Sequence, residues 1–151
     1  MRFPSLTGLA VCVSVGVAAL EPVLAANLVL ITTEEAKLPP PKGAIAMSAR
    51  GVTRGPKVEL VPQAGAIRSP VRLQLKFQTY GVSKVDLDAV QATYLRSPNV
   101  DLTPRIKPFV NATGIDVPAA ELPPGDHMVR IDIKDSDGRT ATANFVLKVE
   151  Q

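Results

Sequence analysis

The chain has 151 residues, a formal net charge of +3, one histidine, one cysteine and no tryptophan. That length suits about one domain. The basic residues stand singly among acids, without the clustered patch and stacking aromatics that nucleic-acid binding requires, so a nucleic-acid partner is excluded.

Residues 1–25 read as a secretory signal peptide. Arg2 supplies the positive start, residues 6–20 are mainly apolar and small, and Val23, Leu24 and Ala25 lead to a cleavage point before Ala26. Glu21, Pro22 and an apolar run shorter than the roughly 20 residues of a membrane span argue against an anchor. Val11 is the wrong residue before Cys12 for a lipoprotein box, so lipidation is not expected. The expected setting is the periplasm or exterior of a bacterium, with no transmembrane anchor after cleavage. Cys12 leaves with the signal, so the mature chain of about 125 residues forms no disulfide or thiolate metal site and must be held by its core.

Residues 26–54 read as an N-terminal arm and Pro-rich linker. A short apolar run occupies 27–31, and Thr32 and Glu35 follow at capping-box spacing, which suits one helical turn. Pro39, Pro40 and Pro41 then forbid helix and favour an extended polyproline segment. Two roles suit the arm: a linker, or a strand over 28–31 donated to a partner's sheet. Residues 43–53 are rich in small residues and ambiguous between a strap and a mobile segment.

Residues 55–151 read as the domain proper. Residues 57–61 form a short strand with Val58 and Leu60 inward, and 62–70 form a turn or loop. The cleanest alternation runs over 71–77, with Val71, Leu73, Leu75 and Phe77 inward. Tyr80 and Gly81 end it, 85–88 make a loop with one helical turn, and 89–95 make a strand with Val90, Ala92 and Tyr94 on one face. Residues 97–108 carry three prolines and are mostly irregular, tucking Leu102 and Ile106 under the domain. One or two short strands follow before Pro118.

The closing stretch 122–149 organises the rest. Val129, Ile131 and Ile133 point to one face, as do Ala141, Ala143, Phe145, Leu147 and Val149 in the next strand. Directly opposed residues share a face, so a two-residue turn that sets Ile133 against Thr142 is excluded. A three-residue loop of Ser136, Asp137 and Gly138 sets Ile133 against Ala141 and places Gly138 at the left-handed position of a G1 bulge.

Short strands with Pro- and Gly-rich connections indicate an all-β fold: an immunoglobulin-like Greek-key β-sandwich of about seven short strands with an extended N-terminal arm. A small β-barrel is the competing closure. The pattern Leu122, Pro123, Pro124, Gly125, His127, Val129, Ile131, Ile133, Asp135, Gly138, then Phe145, Leu147 and Val149, resembles the last two strands of bacterial immunoglobulin-like domains of periplasmic and cell-surface proteins. The resemblance implies the fold; such domains serve as spacers, binders and accessory modules, so it implies little about function. The same ending resembles CopC-type periplasmic copper carriers. Those use histidines, often one at the mature N-terminus; here Ala26 stands there, and no copper ligand carries over.

Any triad or histidine-based metal site must pass through His127, which follows a turn between Asp126 and Met128 and reads as a packing residue. Residues 51–55 lack the Lys-Ser/Thr of a phosphate loop. Asp86 and Asp88, and Asp132, Asp135 and Asp137, read as turn and surface acids rather than a calcium shell of six to eight oxygens. Asn111, Ala112 and Thr113 match a glycosylation acceptor in a chain that otherwise looks bacterial. No catalytic, cofactor-binding or metal residue is assigned, and no enzyme activity or cofactor is expected. The expected function is a non-catalytic secreted or periplasmic binding or protein-interaction module. Its partner would be an unknown protein or cell-envelope component, met through a sheet edge, the arm or the 97–118 loop. The alternative is a periplasmic copper- or calcium-handling protein of CopC-like fold, using His127, Met47, Met128 and carboxylates.

Overall fold

Alternation of apolar and polar residues carries most of the architecture, because each strand must bury one face against something. The structure, a computed structural model, describes residues 27–42, 55–61 and 67–151. The signal peptide and the ambiguous 43–53 stretch, Met47 included, fall outside the described residues. Ten strands are described: β1 Leu28–Val29, β2 Lys57–Leu60, β3 Ile67–Arg68, β4 Val71–Gln78, β5 Gln91–Tyr94, β6 Val100–Asp101, β7 Val110–Asn111, β8 Gly114–Glu121, β9 Gly125–Lys134 and β10 Thr140–Glu150. Two single-turn helices join them, α1 Thr33–Ala36 and α2 Thr103–Ile106. Four of the strands are only two residues long, too short to show any alternation; the other six stand near the expected seven.

One sheet has the order β1-β8-β4-β2, with β7 also on β8; the other has β3-β10-β9-β5-β6. The fold is thus an all-β, two-sheet sandwich. From β4 come Val71, Leu73, Leu75 and Phe77, all buried; from β9 come Val129, Ile131 and Ile133; from β8 and β5 come Ile115, Val117, Ala92 and Tyr94. Leu102 and Ile106 sit in the same core, as their spacing around α2 requires.

The closing hairpin has the register that parity demands. Ile133 faces Ala141, Ile131 faces Ala143 and Val129 faces Phe145. Gly138 N–H donates to Asp135 O at 3.0 Å, Asp135 N–H donates to Arg139 O at 2.9 Å, and Gly138 has φ of 81°. That is the type I turn with a G1 bulge. Asp135 is buried because its carboxylate has work inside the turn: Oδ1 accepts from the N–H groups of Asp137 and Arg139 at 3.0 and 2.8 Å.

Three expectations need correction. The arm is more than a linker to the domain: β1 runs parallel to β8 of its own chain, with Leu28 beside Ala120 and Val29 beside Glu121. The reason is burial, since Leu30 and Ile31 are each only 1% exposed and belong to the core. Pro118 does not end its strand. Val71 pairs with Ala120 while Leu73 pairs with Val117, so one extra residue of β8 bulges opposite Arg72, where a proline without an N–H is tolerated. The 62–70 stretch is not loop throughout, because β3 runs parallel to the end of β10, Ile67 beside Val149.

Gly114 opens β8 opposite Lys76 at φ of 157°, and a Cβ there would overlap the Leu75 carbonyl oxygen. Gly114→Ala is therefore expected to cost roughly 3 kcal/mol by overpacking against backbone that cannot yield. Gly138→Ala has open space and only the left-handed backbone to resist it, so about 1 kcal/mol is expected. Denaturant midpoints of the two variants check the order.

Candidate interaction surface

Five strand ends meet at one end of the sandwich. Lys57 of β2 pairs with Gln78 of β4, Lys76 pairs with Gly114 of β8, and the turn between β9 and β10 lies alongside. The β4–β5 connection is stapled to that turn. Lys84 N–H donates to Ser136 Oγ at 3.2 Å, Ser136 N–H returns a bond to Lys84 O at 2.8 Å, and Asp86 N–H donates to Lys134 O at 2.8 Å. Ser83 turns inward and donates its hydroxyl to Tyr80 O at 2.7 Å. Asp86 Oδ1 accepts from Asp88 N–H and so caps the 3₁₀ turn Leu87–Ala89.

This fastening lifts apolar side chains into water. Val82 is 98% exposed, Tyr80 44% and Leu87 39%, three of the four exposed large hydrophobics among the described residues. Single exposed apolar residues are ordinary; here three stand on one hydrogen-bonded connection. The Lys57 ammonium stands 5.8 Å from the Tyr80 ring centroid and adds a cationic rim.

The second polar feature lies toward the other end. His127 faces inward from β9 and is buried. Its Nε2 lies 2.7 Å from Pro123 O, which can only accept, so Nε2 carries the hydrogen. Nδ1 then accepts from the Tyr94 hydroxyl at 3.0 Å, and the Tyr94 oxygen accepts from Arg96 Nε–H at 2.7 Å. Arg96 Nη2 also donates to Asp126 O at 3.2 Å. Burial holds the His127 pKa below its ordinary value, the Pro123 bond opposes this, and the Arg96 charge adds to the lowering. Both ring nitrogens are engaged, so the imidazole as it stands offers no lone pair to a metal or nucleophile.

The third feature fastens the arm. The capping box at α1 is formed: Thr32 N–H donates to Glu35 Oε2 at 2.9 Å and Glu35 N–H donates to Thr32 Oγ1 at 3.2 Å. Arg105 of α2 then grips Glu35 with both terminal nitrogens, at 2.8 and 2.7 Å, and donates to Leu30 O at 2.8 Å. The Arg105 guanidinium is the main reason that the Glu35 pKa falls to about 2, against the opposing effect of burial.

The acids considered for calcium are dispersed into local roles. Asp88 pairs with Lys107 at 3.3 Å, Asp132 with Arg130 at 2.9 Å and Asp137 with Arg139 at 2.9 Å, while Asp135 serves the turn. Among the described residues no group of three or more His, Cys, Asp or Glu is placed to hold a metal ion. Asn111 is exposed in the β7–β8 turn, and its Oδ1 accepts from Thr113 N–H at 2.9 Å. The sequence reading takes Tyr80 only as a strand end and passes over Val82. The available signal was two apolar residues flanking Gly81 just after a strand's alternation has ended. Comparison with family models, with curated proteins and with solved structures finds no match for the chain.

Proposed function

We propose that the chain is a non-catalytic binding module of the bacterial cell envelope, exported by residues 1–25 and wired as an immunoglobulin-like Greek-key sandwich. The strand orders support the wiring. β2, β4, β8 and β7 take the places of strands A, B, E and D, and β5, β9 and β10 those of C, F and G. In that pattern the B–C and F–G loops gather at one end, where variable domains bind their targets. Here those loops are the Tyr80–Val82 connection and the Ser136, Asp137 and Gly138 turn, so the functional part of the reading is a fold-level analogy.

The single observation that carries it is the exposure of Tyr80, Val82 and Leu87 on one stapled connection at that end. Tyrosine is among the residues that dominate interface energy once a partner covers them. The sole histidine has both nitrogens committed to the fold, which supports a non-catalytic reading. No helix among the described residues is long and apolar enough to cross a membrane. The partner is a protein or other envelope component presenting an apolar recess.

The test is a Tyr80→Ser, Val82→Asp double variant, compared with the unaltered chain for retention of solubilised envelope components and then for affinity to any component recovered. The variant is expected to melt as the parent does and to bind roughly tenfold or more weakly. Equal binding by both chains would remove this end of the sandwich as the recognition surface.

A further inference from the structure

A cleft of about 460 Å³ lies on the outer face of the second sheet. Its floor includes Arg130 of β9; one wall is the turn 96–99 between β5 and β6, and the other is Pro41 and Lys42 of the arm. The walls are tied together, because Ser97 N–H donates to Pro39 O at 3.0 Å. The volume falls in the range of small-ligand sites rather than of a packing defect.

Its lining has one sign of charge. Lys42, Arg96 and Arg130 contribute cations from three separate stretches of chain, Ser97 and Asn99 add neutral polar groups, and no carboxylate residue lines it. Cations and acids are otherwise interspersed along the chain, so composition does not produce this grouping. Two of the three are held in place. Arg96 is braced by Tyr94 Oη and Asp126 O through Nε and Nη2, with its guanidinium carbon 5.1 Å from the Tyr94 ring centroid. Arg130 is held by Asp132 through Nε at 2.9 Å, and among the described residues its two terminal amino groups stay open to a ligand. Lys42 has no ion pair among the described residues.

We propose that this cleft binds a phosphate-bearing small molecule or headgroup of about monosaccharide size. The terminal fork of Arg130, the remaining Nη1 amino group of Arg96 and the Lys42 ammonium match an oxyanion with three acceptor oxygens and a charge near −2 better than a single carboxylate. The His127–Tyr94–Arg96 chain then has a function beyond stability, since it positions the Arg96 guanidinium at the cleft. The cleft is separate from Tyr80 and Val82 and stands without them.

The experiment is a ¹H–¹⁵N NMR titration of the purified chain with a hexose phosphate, the neutral hexose, and vesicles with and without a phosphomonoester lipid. Saturable shifts at Lys42, residues 96–99 and Arg130 are expected with the phosphate compound, at a Kd on the order of 1 mM or tighter, and none with the neutral sugar. Binding should weaken at least about tenfold in a Lys42→Gln, Arg130→Gln variant whose melting is unchanged, and should weaken with added salt. A response to the soluble compound assigns a free ligand; a response to phosphomonoester vesicles alone assigns a membrane-borne one. No saturable shift with either, or binding that the variant retains, overturns the proposal.

Discussion

Leu30→Asp is expected to cost about 4 kcal/mol or more, a large part of the roughly 5–15 kcal/mol that holds a domain folded. The side chain is 1% exposed among the core residues, its N–H donates to Glu121 O at 3.0 Å and its carbonyl accepts from Arg105 at 2.8 Å. A carboxylate there loses the leucine's burial and gains no partner. Val29→Asp is the matched control: Val29, the neighbouring residue at the end of β1, is 45% exposed, and its replacement should shift stability by about 0.5 kcal/mol. Urea or guanidinium melts of the two variants separate the cases. If Leu30→Asp melts like Val29→Asp, the arm is not part of the sandwich, and its reading as a strand for another molecule returns.

His127→Ala is expected to cost about 3 kcal/mol, from the cavity and from leaving the Tyr94 hydroxyl and Pro123 carbonyl unpaired in the interior. The pH dependence is more diagnostic. The folded pKa lies below the ordinary value of 6.5, so above that pH the ring is neutral in both states and its stabilising bonds are fully present. As pH falls through 6.5 the unfolded chain takes up a proton that the folded chain refuses, and stability declines by up to about 1.4 kcal/mol per pH unit until the folded pKa is reached. His127 is the only histidine, so His127→Gln should flatten the stability profile just below pH 6.5. A second decline belongs to Glu35, whose pKa is lowered from 4.5 to about 2 chiefly by Arg105; its contribution is lost as pH falls through that lower window. A Glu35→Gln variant should reduce the acid limb, to which Asp101 and Asp116 also add, while His127→Gln should remove the limb nearer neutrality. Thermal melts across pH 2–8 read both.

The parts legible in the sequence were those decided locally. Period two and face parity were enough to place Ile133 against Ala141 and Gly138 at the bulge, because a hairpin's register depends on residues close in the chain. The capping box of Thr32 and Glu35 was legible for the same reason. What Glu35 meets next was not, since Arg105 lies 70 residues away and neither residue type implies the other. The parallel pairings of β1 and β3 were invisible, because two-residue strands carry no alternation and their partners lie far along the chain. Pro118 misled because proline usually ends a strand; only the offset between Val71 and Leu73 reveals the bulge that accommodates it. His127 was legible as a packing residue, but its partner Tyr94 comes from a neighbouring strand's inward face. Both candidate surfaces depend on long-range topology: which strand ends share a pole decides the company of Tyr80 and Val82, and which faces align decides that of Lys42, Arg96 and Arg130.

The most direct measurement places a photo-cross-linking residue at position 82 in one variant and at position 29 in another, and irradiates living cells that export the chain. Both positions are exposed, one at the loop end and one on the arm fastened into its own sheet. A discrete adduct from position 82, with none from position 29, is the expected result. An adduct from position 29 alone would contradict it and make the arm the surface that meets the partner.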